Sequence, residues 1–340
     1  MEQSTLQSPP VGAFRFNTDS SKLEYYEGNQ WVIITSTSPD VLTGGTRAVL
    51  AGGYTPSDWV NTMEYINVES SGNGVNFGDL LDKKGDHNGT MASRTRGLFA
   101  GGYYPSGQIR YNRIEYITIA STGDGIDFGD MTRTSNALVN ASSATRGIFM
   151  GGYWPSNNRT NRIDYVTISS KGDSKEFGDL SQQRRNAGSC ASPTRAIIAG
   201  GNDGSLGICN IIEYLTIAST GNSADFGDLT IARQTPYGAS NSTRGCFNHG
   251  HGGSPTQQNT VDYIQIASLG NAKDFGDVAT SVNHTNGATS PTRIIMYGGS
   301  GGTNNIQYQN IATTGNLLDF GDMNEGRGSC ATASNGHGGL

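Results

Sequence analysis

Hydrophobic positions along this chain come in short bursts, not in long periodic stretches. In residues 93–143 the first burst, Arg-Gly-Leu-Phe-Ala-Gly-Gly, is a brief apolar run stopped by two glycines. The second, Arg-Ile-Glu-Tyr-Ile-Thr-Ile-Ala-Ser, alternates through β-branched and aromatic residues. Two weaker runs follow, Gly-Ile-Asp-Phe-Gly-Asp and the small-residue stretch Asn-Ala-Leu-Val-Asn-Ala-Ser-Ser. Such runs predict strands, and the Gly, Asn, Asp, Ser and Pro clusters between them predict turns. The pattern is thus four short strands and no helix of useful length.

This pattern repeats. Phe-Gly-Asp occurs at Phe77, Phe128, Phe177, Phe226, Phe275 and Phe320, at intervals of 51, 49, 49, 49 and 45 residues. Thr-Arg recurs with Arg47, Arg96, Arg146, Arg195, Arg244 and Arg293, and a tyrosine series runs Tyr65, Tyr116, Tyr165, Tyr214, Tyr263, Tyr308. Three markers with one period near 49 and four strands per unit predict an all-β fold, a six-bladed β-propeller spanning residues 38–340. After the last triplet, Gly328–Ser334 matches the small-residue strand that elsewhere precedes Thr-Arg, yet no Thr-Arg strand follows it. The first Thr-Arg strand has no such strand before it, so the C-terminal strand is expected to complete the first blade and close the ring.

Residues 1–37 stand outside the repeat. Ala13–Asn17, Leu23–Tyr26 and Trp31–Thr35 read as a three-stranded meander too small to stand alone. Its apolar face, expected to hold Phe14, Phe16, Leu23, Tyr25, Trp31 and Ile33, must be buried on the propeller, another copy or a neighbouring protein, and contact between subunits is the favoured reading.

The double glycines (Gly52-Gly53, Gly101-Gly102, Gly151-Gly152, Gly200-Gly201, Gly298-Gly299) and the tyrosine of the following strand resemble the kelch repeat, with the triplet phenylalanine where kelch places a tryptophan. Val11–Thr18 followed by Leu23–Gly28 and Trp31 resembles a module of tail-fibre and other structural proteins of tailed bacteriophages. Ile-Glu-Tyr-Ile-Thr-Ile-Ala-Ser-Thr-Gly and Asp-Phe-Gly-Asp-Leu are similar to kelch-like repeats of virion proteins from marine and cyanobacterial phages. The resemblance implies a non-enzymatic virion protein, assembled in the host cytoplasm and exposed on the particle. Residues 1–37 would then attach it to other virion proteins or form a homo-oligomer.

Composition narrows the classes. There are 49 glycines but only 10 prolines in 340 residues, and no Gly-X-Y period, which excludes collagen. Net charge is −6, from 23 Lys+Arg against 29 Asp+Glu, which disfavours nucleic-acid phosphates as partner. No apolar run approaches the length of a membrane span, and the first residues lack the basic and apolar regions of a secretory signal. Cys190, Cys209, Cys246 and Cys330 show no metal or disulfide spacing and are expected to be buried free thiols.

The recurrent arginines and the triplet aspartates are equal in number, so one arginine–carboxylate contact per unit is the simplest expectation. The acidic turn Asp124, Asp127, Asp130 invites calcium, but the next unit places Lys171 and Lys175 there, so no metal and no cofactor is expected. His87, His249, His251, His284 and His337 are scattered and no nucleophile–base pair stands out, so no catalytic residue is expected.

Positions that break the repeat are the informative ones. The loop after the double glycine is aromatic in three units: Tyr54 and Trp59, then Tyr103, Tyr104 and Tyr111, then Tyr153 and Trp154. Loops expected on the same rim hold Lys83, Lys84, His87, Arg133, Arg184, Arg185, Arg233, Tyr237, His284 and Arg327. Aromatic rings stack on sugar faces and basic groups pair with acidic substituents, so this rim is the expected site for a host-surface glycan during adsorption. Alternatives are a structural adaptor or decoration protein whose loops pack on other virion proteins, and a glycan-degrading propeller enzyme.

Overall fold

Short β-branched runs separated by glycine turns pair most readily with close neighbours, and in the computed structural model most of them do so. It describes residues 9–18, 22–33, 47–89, 91–153, 159–204, 207–252, 257–278 and 284–340. The chain divides into two compact units, Met1–Leu42 and Thr43–Leu340. The expected boundary at residue 37 lies within 34–46, outside the described residues.

The larger unit is all-β and built of antiparallel sheets. One four-stranded sheet runs Gly188–Ala191, Arg195–Ala199, Ile211–Thr216, Ala224–Asp228 in spatial order, and the following repeats give Tyr237–Ser240 to Lys273–Asp277 and Asn286–Thr289 to Leu318–Asp322 in the same way. A further one has the order Ala331–Ser334, Arg47–Ala51, Thr62–Asn67, Val75–Asp79, so the last strand lies beside the first Thr-Arg strand. Two sheets depart from the pattern. Leu138–Ser142 to Lys175–Asp179 gains His87–Gly89 as a fifth, parallel strand, while Arg96–Ala100, Arg113–Thr118 and Ile126–Asp130 form three strands, with Ala92 bridging Gly97. Among the described residues no helix is long and apolar enough to cross a membrane.

The Phe-Gly-Asp triplet has a mechanical reason. Each triplet strand pairs with its tyrosine strand through a bulge, for example between Ile114 and Glu115 opposite Gly129. Gly129 has φ +148°, and a Cβ there would strike the backbone of Gly172 in the next repeat, so glycine is required. The phenylalanine packs edge-on against the tyrosine, at 5.7 to 6.2 Å between centroids in all six repeats.

Neighbouring repeats are joined by recurring contacts. The N–H groups of Gly123 and Gly125 donate to Phe77 O and Asp79 O, and the same pair of bonds links later repeats, through Gly315 and Leu317 on Phe275 and Asp277. Gly72 and Gly74 of the first repeat donate likewise to Phe320 O and Asp322 O of the last. Apolar packing follows suit: Ala48, Leu50, Ile66 and Val68 share one cluster with Ile295, Tyr297, Ile306 and Phe320.

The arginines do not meet the triplet aspartates as expected. Arg96 is paired with Thr118 and Asp130 with Arg113, opposite ends of one tyrosine strand, about 17 Å apart at 3.4 Å per residue. Each arginine instead lies over its own tyrosine ring, at 4.4 to 4.9 Å, and donates from Nη1 to a carbonyl of the next repeat, as Arg47 does to Ile119 and Arg96 to Ile168. Arg293 donates to Val68 O of the first repeat.

In the smaller unit Phe14–Asn17, Lys22–Tyr26 and Trp31–Ile33 form an antiparallel sheet in chain order. Its register, Phe14 opposite Tyr25, Phe16 opposite Leu23 and Tyr25 opposite Val32, puts Phe14, Phe16, Leu23, Tyr25 and Val32 on one face. Trp31 and Ile33, expected there, lie on the other, because alternation turns them away. On that second face Arg15 bonds Glu24 at 2.8 Å and covers Trp31. Phe14 and Phe16 are 68% and 62% exposed.

Candidate functional site

The site begins with the double glycine. Its first residue takes φ between +61° and +69° in five repeats, and a Cβ there would collide with the backbone carbonyl of Lys84, Ser135, Arg184, Arg233 or Arg327. The residue after the pair bridges to the preceding connection, Tyr54 to Gly328, Tyr103 to Gly85, Tyr153 to Asn136 and Asn202 to Arg185, and His251, which follows His249-Gly250, bridges likewise to Gln234. Three of the five are tyrosines, held side by side by backbone bonds.

Around them the half-buried aromatic residues form a continuous surface. Tyr54 lies 5.7 Å from Trp59, and Trp59 meets Tyr103 edge-on at 6.2 Å. Arg110 then bridges, its guanidinium 5.2 Å from the Tyr103 ring and 5.6 Å from Tyr153. Arg185 and Arg159 complete the group at 4.6 and 5.8 Å from Tyr153. Tyr104 pairs with Ile109 in a two-stranded extension, Tyr103–Tyr104 with Ile109–Arg110. Trp154 lies outside the described residues.

Charge is unevenly balanced here. Arg110, Arg159 and Arg185 make no ion pair with a carboxylate among the described residues, and the Nε atoms of Arg159 and Arg185 are buried without a hydrogen-bond partner. Arg110 donates from Nε to Asn136 Oδ1 at 3.0 Å, and Asn136 donates to Asp86 Oδ2 at 3.1 Å. The Arg185 pKa is lowered, first by burial and then by Arg159, with Asp86 opposing. Two guanidinium groups on one ring lie no more than about 10 Å apart, a repulsion of at least about 1.7 kcal/mol at an effective dielectric near 20, before salt screening.

Several of the basic residues expected on this rim are inside the protein. Lys84 pairs with Glu115 at 2.5 Å, Arg184 with Glu213 at 2.8 Å and Arg233 with Asp262 at 2.8 Å, all with fully buried or nearly fully buried side chains. Arg327 pairs with Glu64 at 2.5 Å in the same way. A buried cation needs a carboxylate and further acceptors, and Arg184 finds them in Gly200 O and Ile211 O. Lys84, Arg184 and Arg233 therefore leave the ligand surface and join the seams between repeats. Arg133, 3.6 Å from Asp164, is largely buried too. Lys83 is exposed but held by Asp58 at 2.6 Å, and Tyr111 lies under Lys84, its hydroxyl pKa raised by burial. Tyr237 is buried in the core, and of the His87 side chain nothing is described.

Arg110 and Arg159 escaped the expectation. Their signal was weak but present: both are arginines in the loop between the double glycine and the tyrosine strand, in two of the three repeats whose loops carry tyrosine or tryptophan.

Beside the aromatic surface stands a set of left-handed residues, Asp86, Ala137, Asn186, Thr235, His284 and Ser329, with φ between +52° and +62°. They are linked amide to carbonyl, Asp86 donating to Ser329, Ala137 to Asp86, Asn186 to Ala137, Thr235 to Asn186 and Ser329 to His284. At the far end of the same strands Gly336–Gly339 is buried, with His337 donating from Nε2 to Ala92 O at 2.8 Å and Gly339 donating to its Nδ1 at 3.1 Å. The cavity beside His337, lined by Asn140, Ser189, Ser240 and Thr289, measures about 20 Å³, room for a water molecule and not for a sugar.

The acidic turns hold backbone instead of cations: Asp124 Oδ1 accepts the Asp79 amide and Asp173 Oδ1 the Asp130 amide, at 3.0 and 2.9 Å. No group of three or more His, Cys, Asp or Glu side chains suited to a metal ion occurs among the described residues. In comparison with known proteins, no family model matches the chain, and no curated protein matches it significantly.

Proposed function

We propose that this chain is a non-enzymatic virion protein of a tailed bacteriophage, a closed six-bladed kelch-like propeller carried on a tail fibre or similar appendage, which contributes to host adsorption by binding a surface glycan. Closure is supported by three sets of contacts that return to the first repeat: Gly72 and Gly74 on Phe320 and Asp322, Arg293 on Val68, and Asp86 on Ser329. The glycan reading rests on one observation above all. Half-exposed Tyr54, Trp59, Tyr103 and Tyr153 are held in a row by backbone bridges at the end of the sheets in three repeats, whereas the same bridge carries Asn202 and His251 in the next two. A structural role repeated around a ring would call on every repeat, whereas a binding surface needs only one sector.

Trp59→Ala and Tyr103→Ala test this reading. Glycan-array and cell-adsorption signals are expected to fall about tenfold, as loss of base- or sugar-type stacking of 1–3 kcal/mol implies, with an unchanged thermal midpoint. Undiminished binding by both folded variants would reject it.

The adaptor reading draws on the smaller unit. Exposed Phe14, Phe16 and Leu23 form an apolar sheet face of the kind that soluble monomers seldom leave open. On the proposal this face anchors the chain, through another copy or a neighbouring virion protein.

A further inference from the structure

We infer that the Tyr153 cluster is an anion subsite, and that the glycan bound on this face carries carboxylate or sulfate groups. The inference rests on the glycan-binding reading above and adds the chemical class of the ligand.

Three guanidinium groups, from Arg110, Arg159 and Arg185, gather within 5.8 Å of one tyrosine ring. Elsewhere in this protein cations at the ends of the strands are neutralised, Lys83 by Asp58 and Arg113 by Asp82, both at 2.6 Å. At Tyr153 no described carboxylate forms such a pair, and Asp86 reaches the cluster only through Asn136. Arginine donors in a planar fork match the two oxygens of a carboxylate or sulfate. The rings of Tyr103 and Tyr153 offer apolar faces on either side of Arg110, which suits a sugar ring stacked beside its charged substituent. An isolated ion would use the charges and leave the rings idle. An acidic saccharide uses both.

The test titrates the full chain with four probes at matched ionic strength: an oligogalacturonate, a sulfated galactan oligosaccharide, a neutral galactan oligosaccharide and inorganic sulfate. At least one acidic oligosaccharide is expected to bind about tenfold or more tightly than the neutral one, a preference that weakens with salt. Arg159→Gln/Arg185→Gln should abolish the preference for acidic over neutral oligosaccharide. Arg185→Lys, which keeps the charge but loses the fork, should fall between. Equal binding of acidic and neutral oligosaccharides, an undiminished preference in the double variant, or inorganic sulfate binding as tightly as the sulfated oligosaccharide would each overturn the inference alone. Failure of every oligosaccharide to bind the unaltered protein would overturn the glycan reading as well.

Discussion

Asn335 Oδ1 accepts the backbone N–H of Arg47 at 3.1 Å, and the Asn335 N–H donates to Arg47 O at 3.2 Å, across 288 residues of chain. The same pair of bonds is made locally in other repeats, by Ser93 with Arg96, Ser143 with Arg146 and Asn241 with Arg244. Asn335 thus ends the last strand with a cap that belongs to the first. Asn335→Ala is expected to lose about 1 kcal/mol, and Asn335→Ser, the residue used at 93 and 143, to lose less. Urea unfolding compares the two, and equal midpoints for both variants would contradict this role.

The buried pair Arg233–Asp262 makes a sharper prediction. Seven residues after the triplet phenylalanine stand Lys84, Arg184, Arg233 and Arg327, whereas Ser135 follows Phe128 and Val282 follows Phe275; for Val282 the acidic partner's position, in the next repeat, is Gln307. Both halves of the pair are missing together. Arg233→Val should cost about 3–5 kcal/mol by stranding the Asp262 carboxylate. Arg233→Val/Asp262→Gln, which copies the natural replacement, should recover most of that loss, as a double-mutant cycle on denaturation midpoints would show.

Buried histidines set an acid limit on the fold. Burial lowers the pKa of His337 to about 4 and of His249 to about 3, whereas in the unfolded chain both titrate near 6.5. Between these values the unfolded state holds more protons, so stability is complete above pH 6.5 and declines as the pH falls towards 4. For His337 alone the loss is on the order of 3 kcal/mol. His249 stands where other repeats have the first glycine of the pair, at φ +40°. His249→Gly should therefore flatten the dependence of the urea midpoint between pH 7 and 4.5, and an unchanged slope would count against buried neutral imidazoles.

The exposed sheet face of the smaller unit predicts association. Phe14→Ser/Phe16→Ser should shift the mass measured by light scattering from oligomer to monomer without altering the thermal midpoint of the larger unit. A wild-type chain that is monomeric at every concentration, and that binds no virion protein through this face, would remove the argument for attachment here.

The spacing of Phe-Gly-Asp, Thr-Arg and Tyr was enough to read the strands, the repeat and the pairing of Ala331–Ser334 with Arg47–Ala51, because each marker serves a local purpose: a bulge, a turn cap, a ring contact. The aromatic residues Tyr54, Trp59, Tyr103 and Tyr153 were legible for the same reason, as departures from a regular pattern in loops of known position. Charge was not. Lys83 and Lys84 are neighbours in the chain, yet one is exposed beside Asp58 and the other is buried against Glu115. Whether a cation faces water or a seam is decided by a carboxylate from another strand, Glu115 for Lys84, and the single step from Lys83 to Lys84 does not reveal it. The sequence by itself determined the strands and their order in the regular four-stranded sheets; only the tertiary structure decided where His87–Gly89 pairs, which arginines are spent on holding neighbouring sheets together and which three are left around Tyr153, since that depends on where partners with large separation in the chain come to rest.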